Sequence, residues 1–128
     1  MDERARGKRR EYSAMRSTSG AAMAFFRIGC ILGFLAVVIG AFGAHAASDI
    51  LSAHNMTHAY ETGVQYQFYH VPPQFVVAGL LTQCESLSNA SARYIVTAGV
   101  LFSAGTLLFS GSLYLLALTG ITMLGIIT

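Results

Sequence analysis

From Tyr94 to Thr128 the chain carries no formally charged side chain, and from Phe25 to Ala47 it carries one, Arg27. These two runs constrain the fold more than any other feature. A helix that spans a bilayer needs about 20 predominantly apolar residues, and each run supplies them. Arg27 lies near the start of the first run, where a long side chain can snorkel to the interface. Composition points the same way: hydrophobic residues make up 54% of the chain, charged residues 11%, and mean hydropathy is +0.55. Soluble domains carry about 25% charged residues. So few charges cannot solvate a globular surface, and 128 residues suffice for one small membrane domain.

The charges are segregated. Seven of the eight Lys and Arg lie at or before Arg27, and the eighth is Arg93. Residues 1–24 form a basic head that reads as a disordered cytoplasmic tail, since basic residues beside a first span hold that end inside. The head has no adjoining fold and, Tyr12 aside, no aromatic interleaving, so nucleic-acid binding is not expected. Translation from Met15 or Met23 would shorten or remove it. Cys30 reads as a small packing residue and Cys84 as a free thiol, because nothing in their spacing forms a disulfide framework.

The membrane domain, residues 25–128, is expected to be an all-α transmembrane bundle with spans at about 25–47, 64–82 and 94–118. Ala44-His45-Ala46 matches a signal-peptidase site, but the apolar core before it is longer than a signal peptide's and further apolar spans follow, so the first run reads as an uncleaved span. The second span recruits aromatic residues from Val64 onward and contains Pro72-Pro73, which should kink or break it. Thr119-Gly120 reads as the end of the third. With the head inside, the loop carrying Arg93 also returns to the cytoplasm, so both basic regions give one orientation.

Helical spacing sorts the spans into faces. Gly29, Gly33, Ala36, Gly40, Gly43 and Ala47 fall on one stripe of the first span, at steps of three and four. Gly99, Ser103, Thr106, Ser110, Tyr114 and Ala117 form a second stripe on the third span. Small residues let helix backbones approach closely in lipid, and the hydroxyls of the second stripe can bond across helices. Both stripes read as packing surfaces.

The polar residues lie around the second span. His54, His58, Glu61, Gln65 and Tyr69 align on one helical face, with Gln67, His70 and Gln74 on the other side. His54, His58 and Glu61 could present metal ligands, but no further donor except Asp49 completes a set, so no metal or other cofactor is expected. The plainer reading is an amphipathic helix lying at the outer interface before it turns inward; another is that Glu61 and His70 are paired polar groups at bundle depth, because lone ionisable groups are costly there. His45, Glu61, Gln65, Tyr69 and His70 are the candidate polar site, with His45 either capping its helix or facing Glu61. No GxSxG, Walker loop or supported nucleophile–base arrangement occurs, so an enzyme is not expected.

"GAFGAH" after a small-residue helix, "TGVQYQFYH" about twenty residues later and "LFSGSLYLLALTG" near the end resemble the domain-of-unknown-function 423 family, related to transmembrane protein 256. The resemblance covers about Phe25 to Thr128. It implies a small inner-membrane protein built as a four-helix bundle, and it carries no established activity. The sequence departs from the family at Val71-Pro72-Pro73-Gln74. The family also continues past "GIIT" into a Pro-x-Gly-Gly motif and a fourth helix, so the chain reads as a fragment with three spans. The expected role is structural or accessory in a bacterial inner membrane, with the bilayer, a second copy or other membrane proteins as partners. The alternative is a small transporter or channel component using the polar face of the second span.

Overall fold

The computed structural model of the chain describes residues 3–83, 88–121 and 123, with five α-helices and no strand among them. Cys84 lies outside the described residues. The first helix, α1, runs from Glu3 to Ala44, 42 residues without a break. The head expected to be disordered is therefore helical from Glu3 onward. Ala, Arg, Lys and Glu are strong helix formers. Once the apolar run has formed a helix, extending it into the head avoids the cost of a new nucleus.

Two further boundaries differ from the sequence reading. The connection after α1 contains a short helix, α2 (Ser48–Ala53), and the next helix, α3, already begins at Thr57 and ends at Tyr69. Between them the chain turns at Asn55, whose φ of 55° is left-handed, a conformation Asn tolerates better than most residues. Helix α4 spans Val71–Thr82, separated from α3 by His70 alone, and carries Pro72-Pro73 in its first turn. The expected break is thus present, and it falls where the missing donors matter least. The first N–H groups of a helix have no intrahelical acceptor.

The last helix, α5, spans Asn89–Thr119 and so takes Arg93 into its opening turns. Ser88 caps it, its Oγ accepting from Ser91 N at 3.3 Å. It stops at Gly120, whose φ of 70° a residue with a Cβ rarely adopts and whose N–H donates to Leu116 O at 2.9 Å.

The segment α3–α4 lies between α1 and α5 and packs on both. Two apolar clusters close the ends of this arrangement. One joins Ala22, Phe25, Val77, Ala78 and Leu81; the other joins Ala47, Leu51, Tyr60 and Ala117. Among the residues buried outside these clusters, Gln67, Gln74, Thr106 and Ser110 are polar and Leu32, Ala36, Val71 and Leu113 apolar.

Candidate functional site

The buried face of α3–α4 repeats every seven residues. Tyr60, Gln67, Gln74 and Leu81 are all buried, and the repeat runs through the break at His70 as though one helix continued. The first three reach the neighbouring helices with polar atoms. Tyr60 donates its hydroxyl to Ile39 O of α1 at 2.8 Å. Gln67 donates Nε2 to Leu32 O of α1 at 2.8 Å and accepts the Tyr114 hydroxyl of α5 on Oε1 at 2.9 Å. Gln74 donates Nε2 to Ser103 Oγ of α5 at 2.9 Å, and Ser103 in turn donates to Gly99 O. Gln67 therefore ties three helices through one amide. Gln74 Oε1 and Ser110 Oγ are buried without a hydrogen-bond partner among the described residues.

The two small-residue stripes face this seam. On α1, Gly29 lies against Phe75 and Gln74, Gly33 against Val71, Gly40 against Val64, and Gly43 against the ring of Tyr60. A Cβ at Gly43 would overlap that ring, so the helices meet there only because the side chain is absent. Ala36 and Ala47 are buried. On α5, Gly99 lies against Phe25 and Val77. Ser103 and Tyr114 bond to the two glutamines, while Thr106 turns its hydroxyl back onto Phe102 O at 2.8 Å.

The residues expected to form one polar site do not come together. Glu61, Gln65 and Tyr69 line a groove of about 770 Å³ between the end of α1, α2 and α3. Gln65 Nε2 donates to the Tyr69 hydroxyl at 2.7 Å. Ser48, Ser52 and Thr57 contribute hydroxyls to the rim, and Gly40, Gly43, Leu51, Val64 and Phe68 the apolar wall. His70 sits elsewhere: its Nδ1–H donates to Tyr66 O at 2.7 Å and its ring lies edge-on to Phe102 of α5. The pairing of Glu61 with His70 is therefore corrected. Nine residues apart on a helical path, they occupy nearly opposite faces. His45 is exposed in the turn after α1 and is not part of the groove lining. Its carbonyl accepts the Ser48 hydroxyl at 3.0 Å.

The placing of His54 on one helical face with His58 and Glu61 is also corrected; the latter two remain three residues apart on α3. The turn at Asn55 separates the two histidines, so helical spacing does not relate them. His54 instead donates Nδ1–H to Ala117 O at 3.0 Å. A carbonyl only accepts, which fixes the donor. This satisfies one of the carbonyls that the end of α5 leaves open. Among the described residues no group of three or more His, Cys, Asp or Glu could hold a metal.

What the sequence reading missed is the weight of Gln67 and Gln74. The signal was their seven-residue spacing from Tyr60 and Leu81. It was obscured because the opposite face of the same segment is just as polar.

A family model described as "Protein of unknown function (DUF423)" matches residues 39–128. The UPF0382 membrane protein YwdK of Bacillus subtilis (strain 168) is 42% identical over 104 residues, which cover 81% of this chain and 80% of that protein. A UPF0382 membrane protein of Staphylococcus aureus (strain bovine RF122 / ET3-1) is 36% identical over 104 residues, 81% of this chain and 79% of that protein. The UPF0382 inner membrane protein YgdD of Escherichia coli (strain K12) is 35% identical over 98 residues, 77% of this chain and 70% of that protein. No solved structure matches. The matched stretch holds both glutamines of the seam, their partners on α5 and the α3 side of the groove, and with that coverage the chain belongs to the DUF423 family.

Proposed function

We propose that the chain is an integral protein of a bacterial inner membrane that crosses it three times, with the N-terminus in the cytoplasm, and serves a structural or accessory role rather than a catalytic one. The observation that carries the membrane reading is an apolar exterior around an interior that holds polar groups. Gln67, Gln74, Thr106 and Ser110 are buried among Leu32, Val71 and Leu113, while Leu101, Leu107 and Leu108 of α5 are 66, 68 and 64% exposed. The outer face of α1 is similar, with Ile31, Phe34 and Val37 exposed. An apolar surface of this extent is not stable in water; in hydrocarbon it is the expected exterior, with polar groups turned to the bundle. Among the described residues two helices are long and apolar enough to cross a membrane, within Thr18–Ala44 and Ala90–Thr119.

The third crossing is α3 and α4 together. Thr57 to Thr82 amounts to about 39 Å of helix, enough for a hydrocarbon core of about 30 Å. An uncleaved α1 fits the same reading, because Ala36, Gly40, Gly43 and Ala47 are part of the packed interior. The orientation follows from the basic head and Arg93. The UPF0382 names of the relatives, inner membrane in the Escherichia coli case, support the compartment.

The structural role is favoured by the way the seam is used. Its amides bond to backbone and side chains of adjacent helices, which fixes helix against helix. Sedimentation with membranes after alkaline carbonate washing tests the first part; release into the supernatant would overturn it. Labelling of single cysteines placed at Ser19 and Asp49 with an impermeant maleimide tests the orientation, with Asp49 expected to react from outside and Ser19 only after lysis. A transport role, the competing reading, predicts a solute flux in proteoliposomes that Glu61→Gln abolishes.

A further inference from the structure

We infer that the groove between α1, α2 and α3 is a binding site for an amphiphile that carries a primary ammonium group on an apolar chain. The inference rests on the membrane reading, which sets the groove beside the last turns of α1 and so at the boundary between hydrocarbon and water. Its volume of about 770 Å³ is that of a small-molecule site. Its lining includes one carboxylate, Glu61, and no Lys, Arg or His. Among the described residues Glu61 has no hydrogen-bond or ion-pair partner.

The neighbouring polar groups complete the selection. Gln65 gives one amide N–H to the Tyr69 hydroxyl, and its carbonyl oxygen stays available as an acceptor. Glu61 and Gln65 therefore both offer acceptors. An ammonium brings three donors and a positive charge, so it meets both; an anion is repelled by the Glu61 carboxylate, and a neutral acceptor brings no donor to either oxygen. A hard metal ion is poorly served by one carboxylate. Below the acceptors the wall is apolar, through Val64 and Phe68, and Phe68 is half exposed at 51%, so a chain can leave the groove sideways into lipid. The aromatic ring of Tyr69 adds a face that attracts a cation. A membrane phospholipid with an ethanolamine headgroup and a single-chain alkylamine share this chemistry.

Native mass spectrometry of the full chain in a non-ionic detergent tests the site. Dodecylammonium should bind about tenfold more tightly than dodecanol, the margin expected of a charge-assisted hydrogen bond. Glu61→Gln should erase that ratio, and Phe68→Ala should weaken both ligands while leaving it intact. Equal binding of the two ligands overturns the proposal. So does an unchanged ratio in Glu61→Gln, or the absence of binding to a preparation whose groove a second copy covers. Phosphatidylethanolamine retained over phosphatidylglycerol, again lost in Glu61→Gln, assigns the ligand to the bilayer; selectivity for dodecylammonium alone assigns it to a single-chain amine. A protein that sediments with membranes yet shows no preference for the ammonium defeats this inference and leaves the membrane reading standing.

Discussion

The two faces of α3 are made from the same kinds of residue and do opposite things. Its inner face carries Tyr60 and Gln67, its outer face Gln65 and Tyr69. Inside, each polar atom named meets a neighbouring helix: Tyr60 reaches Ile39 O, and Gln67 reaches Leu32 O and Tyr114. Outside, Gln65 and Tyr69 bond among the described residues only to each other, one turn apart on one helix. A glutamine–tyrosine pair between helices holds the bundle together, whereas the same pair within a helix leaves its remaining valences to the surroundings. The inner pair therefore bears on stability and the outer pair on whatever enters the groove.

Substitutions sharpen this contrast. The largest effect is expected from Gly43→Leu, which drives a side chain into the Tyr60 ring and should cost about 3 kcal/mol or more in folding free energy. Loss of the folded fraction at lower denaturant in mixed micelles would register it, and an unchanged midpoint would mean that α1 and α3 do not meet through Gly43. Gln67→Leu comes next. It removes two interhelical bonds and strands the Tyr114 hydroxyl, a loss of about 1–3 kcal/mol in the same titration. Tyr114→Phe should cost less, about 0.6 kcal/mol, the average for an interhelical bond in a membrane protein. A double-mutant cycle with Gln67→Leu should then show coupling between the two sites.

Ser110→Ala removes a buried hydroxyl that has no partner among the described residues, so stability should hold or rise slightly, within about 0.5 kcal/mol. Smallest of all is Glu61→Gln, exposed on the outer face, with no measurable change in the denaturation midpoint. If Glu61→Gln proves as damaging as Gln67→Leu, the distinction between the two faces fails.

Much of this was legible in the sequence because lipid imposes few choices. The apolar runs announce α1 and α5 directly, and steps of three and four place Gly29 through Ala47 on one side. The turn-formers were legible as well: Gly120 ends α5 where a break was expected. The polar segment was harder for a physical reason. A span with one polar face advertises which side is buried, but α3 has two, and single-sequence periodicity does not say which of Gln65 and Gln67 turns inward. The answer comes from the partners: Gly43 and Gly40 admit Tyr60 and Val64, and that contact sets the rotation of the whole helix. The error at His54 has a separate origin, one left-handed residue at Asn55. The helical head was unforeseen because a charged tail looks unstructured by composition, although its residues extend a helix readily once one exists.

The bond from His54 to Ala117 O has a temporal side. A ribosome delivers the chain from the N-terminus, so His54 leaves it long before Ala117 exists. The imidazole and the carbonyl, 63 positions apart, can meet only after α5 has taken its place beside the helices before it. The contact thus marks the arrival of α5. A histidine side chain still open to solvent reagents would report a protein in which α5 had stalled.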